Sequence, residues 1–253
     1  MDYSERLGRF VEFLKASQKI AVLSGAGMST ESGIPDFRST SGLYKTVTSE
    51  EVFDIGCFRQ SPEKFYDIIA PLYVSMLEAK PNSGHKALSE LELDCGKDVI
   101  VATQNIDGLH QKAGSKVVNE LHGGMLSLTC QSCGGQVPAS AVDADLRSGK
   151  VVRHRPTCNG VLKPDIVFFG EMLPEEAFSA SISAMKRADL VLVLGTSLAV
   201  YPAASLPGLR RGGTPLVIIN KTETNQDDNA DLVYHESLGE VLPQALKQLK
   251  SGL

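Results

Sequence analysis

A glycine-containing turn follows the first apolar run of the chain and could bind a phosphate group. Residues 20–23 are continuously apolar, as in a buried strand, and Gly25, Ala26 and Gly27 follow shortly after them. Small residues behind a strand let backbone N–H groups approach a phosphate closely. The same pattern also fits an ordinary tight turn between a strand and a helix.

The residues after this turn argue against a hydride-transfer enzyme. Such enzymes carry a third glycine three residues after the second and an acidic residue at the end of the next strand. Here Thr30 occupies the glycine position, and no apolar strand precedes an acid at the required distance. Further on, Asp36, Phe37 and Arg38 place a carboxylate, an aromatic face and a fixed cation in a row. That trio suits an aromatic cation together with its phosphates.

A second polar group follows another apolar run. Residues 99–102 read as a strand and lead into Thr103, Gln104, Asn105, Ile106 and Asp107. Ligand sites in α/β proteins lie at the carboxyl ends of parallel strands. Any one of these residues could instead cap the next helix, but four polar residues in five positions favour a site.

One histidine is a candidate general base. His122 follows the apolar segment 117–121 and precedes two glycines, which suits a side chain at an open cleft. Imidazole changes its charge near neutral pH and often acts as a general base. A lone histidine is more often structural, so the sequence offers both alternatives.

Residues 125–163 have fewer apolar residues and more glycine and proline than the rest of the chain. This composition indicates a small module that is held together by something other than a core. Cys130-x2-Cys133 is half of a structural zinc site, whereas a disulfide between the two is less expected in a reducing compartment. Cys57 and Cys95 have no partner nearby in sequence and are expected to be simple thiols.

Strands alternate with helices along the chain. Helical spacing of apolar residues predicts helices over 4–17, 61–78, 82–93, 174–187 and 238–249. Pro71 is expected to break or kink the second of these. Continuously apolar segments predict buried strands at 20–23, 99–102, 117–121, 166–169, 190–194 and 216–219. The predicted fold class is α/β, a doubly wound, Rossmann-like parallel sheet with a small inserted zinc-binding module.

The composition sets limits on partners and location. The chain has 253 residues, 42% of them hydrophobic, and a net charge of −5, which gives no reason to expect nucleic-acid binding. The first residues lack an apolar signal core, and polar residues and Pro202 interrupt the most apolar segment, 190–206. We therefore expect no membrane span. Five cysteines without a signal peptide point to a reducing compartment, and we expect a cytoplasmic monomer.

Several sequence blocks resemble the signature segments of the sirtuin family. They are GAGMS at 25–29, GIPDFR at 33–38, TQNIDGLH at 103–110, ELHG at 120–123, PDIVFFGE at 164–171, GTSL at 195–198 and IIN at 218–220. They occur in the order typical of the family and cover nearly the whole chain.

This resemblance implies an enzyme that consumes NAD to remove acyl groups from protein lysines. The implied products are nicotinamide, the free lysine and O-acetyl-ADP-ribose. The implied catalytic residues are His122, Asn105 and Asp107, with His122 as the base on a ribose hydroxyl. The residues implied to bind NAD are Gly25, Ala26, Gly27, Thr30, Asp36, Phe37, Arg38, Gln104, Asn105, Ile106, Asp107, Gly195, Thr196, Ser197, Asn220, Lys221 and Ser237.

The resemblance also implies how the acyl-lysine peptide binds. The peptide is expected to add as a strand between two segments whose residues are Val167, Phe168, Phe169, Gly170, Leu198, Val200 and Tyr201. Family members that favour acidic acyl groups carry a Tyr-x-x-Arg pair where this chain has Ile69 and Leu72. Neither side chain can pair with a carboxylate, so we expect acetyl-lysine or another neutral acyl group as substrate.

Completion of the zinc site follows from the same resemblance. Sirtuins usually supply a second cysteine pair, whereas this chain has only Cys158 there, and His154 falls near the third ligand position. The expected ligands are therefore Cys130, Cys133, His154 and Cys158, around a structural zinc that lies far from His122. A module that has lost its metal, or a ligand from elsewhere in the chain, are the alternatives.

One catalytic domain is expected over residues 1–253. Its Rossmann-like part would cover 1–55, 95–124 and 164–253, with the zinc module at 125–163 and a helical insert at 56–94. The rival functions are an NAD-dependent protein mono-ADP-ribosyltransferase, a non-catalytic NAD sensor and an NAD dehydrogenase. A complete set of family residues disfavours the first two, and Thr30 disfavours the third.

Overall fold

A computed structural model describes residues 1–36 and 52–252, so Phe37 and Arg38 lie outside the described residues. Internal contacts divide the chain into two compact units. Unit 1 comprises Met1–Ser32, Lys80–Leu121 and Glu175–Leu253, and unit 2 comprises Gly33–Ala79 and His122–Pro174. The expected division into a Rossmann-like part, a helical insert and a zinc module stays a prediction.

Helices and strands alternate through most of the described chain. The helices are α1 (Tyr3–Ala16), α2 (Ile55–Gln60), α3 (Pro62–Glu78), α4 (Ser83–Leu93), α5 (Leu109–Ala113), α6 (Asp143–Ser148), α7 (Glu175–Arg187) and α8 (Leu238–Ser251). The strands are β1 (Lys19–Ser24), β2 (Asp98–Thr103), β3 (Val117–Glu120), β4 (Gly123–Cys130), β5 (Gln136–Pro138), β6 (Leu162–Ile166), β7 (Leu190–Leu194), β8 (Leu216–Ile219) and β9 (Leu232–Tyr234). No helix in residues 1–36 or 52–252 is long and apolar enough to cross a lipid bilayer.

Unit 1 contains a six-stranded parallel sheet with the order β3-β2-β1-β7-β8-β9. When only the six strands of this sheet are numbered in chain order, the order becomes 3-2-1-4-5-6. This is the strand order of dinucleotide-binding α/β folds. The predicted doubly wound sheet is therefore confirmed. The short edge strand β9 was not predicted, because three residues give too little pattern to recognise.

Hydrophobic side chains fill both faces of this sheet. Along β7, Leu190, Leu192 and Leu194 belong to one buried cluster, while Val191 and Val193 belong to another on the opposite face. A strand covered on both sides needs apolar residues at every position, which explains the continuous run LVLVL. Burial of each such side chain contributes about 1.5–3 kcal/mol to the free energy of unfolding.

The ends and interiors of two helices show how local signals act. Asp2 accepts a hydrogen bond from the Glu5 N–H, and the Glu5 side chain accepts one from the Asp2 N–H, which together cap α1. Of the expected break or kink at Pro71, the break was wrong, because α3 runs through this residue from Pro62 to Glu78, and the kink stays a prediction. The buried face of α3 compensates for the missing N–H of Pro71.

Unit 2 is built around a three-stranded antiparallel sheet in the order β5-β4-β6. The predicted strand at 166–169 was wrong in its limits, since β6 ends at Ile166. The apolar residues beyond it serve another purpose. Phe168 packs with Phe58 and Phe65 at ring-centroid distances of 5.4 and 5.1 Å, in an aromatic cluster beside the sheet.

Candidate nucleotide-binding and catalytic site

The strand ends of unit 1 form a row of predicted site residues. Strand register pairs Ser24 with both Thr103 and Leu194, and pairs Leu194 with Ile219. The residues that directly follow these four strand ends are Gly25, Gln104, Gly195 and Asn220. Four of the predicted NAD-binding residues therefore lie side by side at the carboxyl edge of the sheet, where α/β folds bind ligands.

The loops after β1 and β7 meet at the point where the strand order reverses. Gly27 donates its N–H to the carbonyl of Gly195 at 2.8 Å, and Gly25 donates to the carbonyl of Leu194 at 3.0 Å. A Cβ atom on Gly27 would lie 2.8 Å from Cα of Gly195, which itself has a φ of +60°. These glycines therefore allow the backbones of the two loops to pack together. This role is additional to the predicted close approach to a ligand.

Asn105 and Asp107 are joined through Ser29, to which the sequence alone assigned no role. The buried Asn105 amide donates from Nδ2 to the carbonyl of Gly25 at 3.0 Å and to Ser29 Oγ at 3.2 Å. Ser29 Oγ donates in turn to Asp107 Oδ2 at 2.6 Å. The other oxygen of Asp107 accepts from the N–H of Leu109 at 2.9 Å. This network fixes both predicted catalytic side chains of unit 1.

Gln104 links the second strand end to the third loop. Its Nε2 donates to Thr196 Oγ1 at 3.0 Å, and the same hydroxyl accepts from the N–H of Leu198 at 3.3 Å. A dinucleotide offers phosphate and ribose oxygens that need N–H and O–H partners. The N–H groups of Gly25, Gly27 and Gly195 are already engaged within the loops, but the N–H of Ala26 has no acceptor among the described residues and the Thr196 hydroxyl can still donate, so the residues present fit the group.

The remaining predicted residues of unit 1 differ in their hydrogen bonds and in their exposure. Asn220 donates from Nδ2 to the carbonyl of Thr222 at 2.7 Å, while Ser237 donates from Oγ to Glu31 Oε1 at 2.6 Å. Thr30 donates to the carbonyl of Gly27 at 3.1 Å and so closes its own turn. Ile106 is half-buried, and Lys221 and Ser197 are exposed.

Two buried histidines lie behind the row of strand ends. The rings of His85 and His110 are 4.9 Å apart and nearly perpendicular. His110 Nε2 lies 2.8 Å from Ser24 Oγ, which donates to Thr103 Oγ1 at 2.9 Å. Both ring nitrogens of His85 lack a hydrogen-bond partner among residues 1–36 and 52–252. No local sequence pattern predicts this histidine pair, because its members come from different helices.

Burial keeps this histidine pair neutral. It lowers the pKa of His85 from 6.5 to about 4, although the charge of Asp107 partly offsets the effect. Burial and the neighbouring His85 lower the pKa of His110 to about 3. Both rings are therefore uncharged in the folded protein at neutral pH, with one nitrogen of each as donor.

We expect the protein to lose stability as the pH falls from about 6.5 to 4. In this window the unfolded chain binds protons at His85 and His110 that the folded chain excludes, so stability is full above pH 6.5 and declines below it. His85 alone accounts for about 3 kcal/mol over that range. Urea unfolding at several pH values measures the decline.

The matched variant for this prediction is His85→Leu. It removes a buried imidazole without hydrogen-bond partners among the described residues and replaces it with an apolar side chain. The slope of stability against pH between 6.5 and 4 should then flatten by about 1.4 kcal/mol per pH unit. An unchanged slope would mean that other groups cause the acid sensitivity.

In unit 2, His122 directly precedes β4, at a turn of the backbone. Its carbonyl accepts a hydrogen bond from the N–H of Val167 at 2.8 Å. Gly123 has a φ of +68°, and a Cβ on it would collide with the carbonyl of Asp165. The glycine after His122 therefore fixes the path of the backbone at the predicted base. Asp36, another predicted residue of this unit, is half-buried.

The Val167–Gly170 segment, predicted to bind the peptide, already uses part of its backbone. Phe169 donates its N–H to the carbonyl of Phe53 at 2.7 Å and accepts from the N–H of Ile55 at 3.1 Å. Among the described residues, neither the carbonyl of Val167 nor the N–H of Gly170 has a hydrogen-bond partner. These two groups are available for a peptide backbone.

The predicted peptide-binding residues of unit 1 differ in exposure. Leu198 is buried in a hydrophobic cluster and has a φ of +54°, whereas Tyr201 is 64% exposed and Val200 is half-buried. The buried side chain of Leu198 is therefore not available to a peptide.

The four predicted metal ligands form one cluster, which we call the Cys3His cluster (Cys130, Cys133, His154 and Cys158). Their ligand atoms all lie within 4.8 Å of one another. The Sγ atoms of Cys130 and Cys133 are each 3.4 Å from Cys158 Sγ, and Cys133 Sγ is 3.2 Å from His154 Nδ1. Tetrahedral zinc with bonds of about 2.3 Å needs ligand atoms about 3.8 Å apart. The cluster therefore fits zinc.

Two short loops hold the Cys3His cluster. One closes through a hydrogen bond of 2.9 Å from the N–H of Cys130 to the carbonyl of Gly135, and the other through one of 2.9 Å from His154 to Gly160. Burial raises the pKa of the Cys130 thiol, but backbone N–H groups of Cys133 and Ser132 bring it down to about 6. A thiolate at neutral pH is what zinc binding requires.

Comparisons with known proteins point to one family. The Sir2 family model matches residues 25–202. An NAD-dependent protein deacetylase of Thermotoga maritima is 43% identical, over 96% of this chain and 98% of its own length.

Solved structures agree with the sequence comparisons. A Sir2 variant with a deacetylated p53 peptide and 3′-O-acetyl ADP-ribose has a TM-score of 0.89 and 42% identity, covering 96% of this chain and 98% of the other. A Sir2 complex with a p53 peptide and NAD+ has a TM-score of 0.87 and the same identity and coverage. The fold and the similarity over nearly the whole length agree, and the chain belongs to the Sir2 family.

Proposed function

We propose that this protein removes acetyl or similar neutral acyl groups from lysine side chains of proteins and consumes NAD in doing so. One water is consumed as well, and the products are nicotinamide, the free lysine and O-acetyl-ADP-ribose. The observation that carries the proposal is the row of Gly25, Gln104, Gly195 and Asn220 at the carboxyl edge of the sheet. Similarity to NAD-dependent protein deacetylases over nearly the whole chain supports it.

NAD supplies a ribose carbon from which nicotinamide can leave and to which the acyl oxygen can bond. The chain's residues bind and orient it. The glycine loops and Thr196 hold the diphosphate, Asn220 and Ser237 lie toward the adenosine, and Asn105 and Asp107 order the nicotinamide end. The Ser29 hydroxyl, held between Asn105 and Asp107, keeps these two side chains in one arrangement.

His122 acts after nicotinamide has left. A neutral imidazole nitrogen accepts the proton of a ribose hydroxyl, so the freed oxygen can attack the acyl carbon and carry the acyl group away from lysine. Phe37 and Arg38 are assigned to the same site by resemblance, as a shield for the ribose carbon and a partner for the phosphates. They lie outside the described residues.

The acyl-lysine peptide binds as an added strand. Within residues 1–36 and 52–252, the carbonyl of Val167 and the N–H of Gly170 lack hydrogen-bond partners and can pair with one side of the peptide, and the resemblance assigns residues 198–201 to the same peptide. The Cys3His cluster holds a structural zinc, and no step of the reaction passes through the metal. A net charge of −5 supports a monomer that binds neither nucleic acid nor membrane surfaces, and we place it in the cytoplasm.

Mass spectrometry of an acetyl-lysine peptide incubated with the protein, with and without NAD, tests this function. We expect the mass of the peptide to fall by about 42 Da, because hydrogen replaces one acetyl group, and only when NAD is present. Acetylated ADP-ribose should appear in the same sample. An intact acetyl peptide beside consumed NAD would favour ADP-ribosyl transfer, and no change in either compound would contradict both.

A further inference from the structure

Unit 2 contains a buried lysine that the proposed reaction does not use. Lys163 lies in β6 and is only 6% exposed. A buried ammonium group is costly unless acceptors surround it. Its position four residues before Val167 raises the question of what it does for the Val167–Gly170 segment.

The ammonium group of Lys163 is fully engaged with the chain that follows it. Nζ donates to the carbonyl of Ile166 at 2.7 Å and to that of Pro164 at 3.3 Å. It also pairs with Glu171 Oε2 at 2.9 Å and lies 4.3 Å from the ring centre of Phe168. The partners of this charge among the described residues therefore lie within residues 164–171.

Glu171 carries the same restraint into the peptide-binding segment. Its Oε2 accepts from the N–H of Phe168 at 2.8 Å, and its own N–H donates to the carbonyl of Phe168 at 3.0 Å. The backbone of Phe168 is thus tied to Glu171, and Glu171 is tied to Lys163. The chain is bent so that Phe168 is buried and Phe169 is 41% exposed.

We infer that Lys163 and Glu171 are positioning residues for the acyl-lysine peptide: their ion pair holds the Val167–Gly170 segment in the form that a peptide strand can join. This inference rests on the proposed function. The two side chains touch no reacting atom, and they act through the backbone of Phe168 and the neighbouring groups on Val167 and Gly170.

The ion pair is better explained by position than by stability. Buried ion pairs contribute little net stability, and replacing both partners by apolar residues is often neutral, although removing one partner alone is destabilising. A cation whose partners are two carbonyls and a carboxylate of one eight-residue stretch instead fixes the shape of that stretch. Loss of the ion pair should therefore weaken binding of the peptide more than binding of NAD. The predicted NAD partners at the row of strand ends lie in unit 1.

Steady-state kinetics of Lys163→Met, Lys163→Arg and Glu171→Gln test the inference. We expect K163M to raise the KM for the acetyl-lysine peptide at least ten-fold, with kcat within three-fold and the KM for NAD within two-fold of the parent values. E171Q keeps an acceptor for Phe168 but loses the charge, so a smaller rise is expected. K163R keeps the charge and should recover most of the affinity.

A matched control breaks a different ion pair in unit 2. Arg147 and Asp143 pair at 2.7 Å on the surface of α6, so Arg147→Met should leave both KM values unchanged. If K163M does not fold, as judged by circular dichroism, E171Q decides. An unchanged peptide KM in folded K163M or E171Q, or an equal rise in the KM for NAD, would overturn the inference. An inactive parent protein would instead count against the proposed function itself.

Discussion

Replacing His122 by alanine should slow acetyl removal by about 100- to 10,000-fold, the usual contribution of a positioned general base. The reason is that the ribose hydroxyl then has no acceptor for its proton when it attacks the acyl carbon. The backbone at this point should persist, because the carbonyl of His122, and not its side chain, accepts the hydrogen bond from Val167. Gly123 also keeps its turn.

The proposed order of steps makes this prediction sharper. Departure of nicotinamide precedes the work of His122, so His122→Ala should still exchange labelled nicotinamide into NAD when the acetyl peptide is present. Product formation and exchange can be measured in the same samples by chromatography. The control variant is Lys116→Ala. This residue lies shortly before His122 in the sequence, and its side chain is 61% exposed.

Two results would contradict the role of His122. Full deacetylation by the alanine variant would remove it from the reaction. Loss of nicotinamide exchange together with deacetylation would place it in the first step or in NAD binding instead. A melting temperature equal to that of the parent protein confirms in either case that the comparison is between folded proteins.

The row of strand ends could be predicted because each of its members follows a local pattern. An apolar run ends, and a glycine or polar residue follows, as at Gly25, Gln104, Gly195 and Asn220. Parallel pairing then aligns the ends without further information. Half of the Cys3His cluster could be predicted for a similar reason, since the spacing of Cys130 and Cys133 is visible when the fold is unknown, whereas His154 and Cys158 were predicted from the resemblance to sirtuins.

The supporting interactions could not be predicted in this way. His85 and His110 come from different helices, and nothing in either neighbourhood indicates that their rings meet. Lys163 resembles any surface lysine in sequence, and only the bend after β6 encloses it. The same bend explains why residues 166–169 are not a strand, because Phe168 leaves the sheet direction to join the aromatic cluster. Side-chain packing across the fold decides these features.

Removal of the metal should have the largest effect on stability. Structural zinc binds small zinc-dependent peptides with an apparent free energy of about 10–16 kcal/mol, and that energy contributes to folding. In unit 2 the two loops of the Cys3His cluster are closed by short hydrogen-bonded turns. Even a loss of about 3 kcal/mol corresponds to a fall in Tm of roughly 6–12 °C for a chain of this size.

Activity should be lost along with stability, although zinc takes no part in the reaction. Cys130 is the last residue of β4 and His122 directly precedes its first, so one strand of roughly 25 Å connects the metal ligand to the base. Disorder at the cluster can spread along this strand to His122. We expect a chelator to abolish deacetylation slowly, at the rate at which zinc leaves.

Variants separate the ligands from other residues of the same type. Cys130→Ser and His154→Ala should each lower the zinc content at limiting metal and lower the Tm, whereas Cys57→Ser, at an exposed cysteine of the same unit, should do neither. Zinc content measured by atomic absorption, Tm and deacetylation rate form the readout. Full zinc content in His154→Ala would remove that histidine from the site. If the metal left and both Tm and activity stayed at the parent values, the cluster would not be what holds β4 in place, because its two loops would then keep the strand ordered by their hydrogen bonds alone.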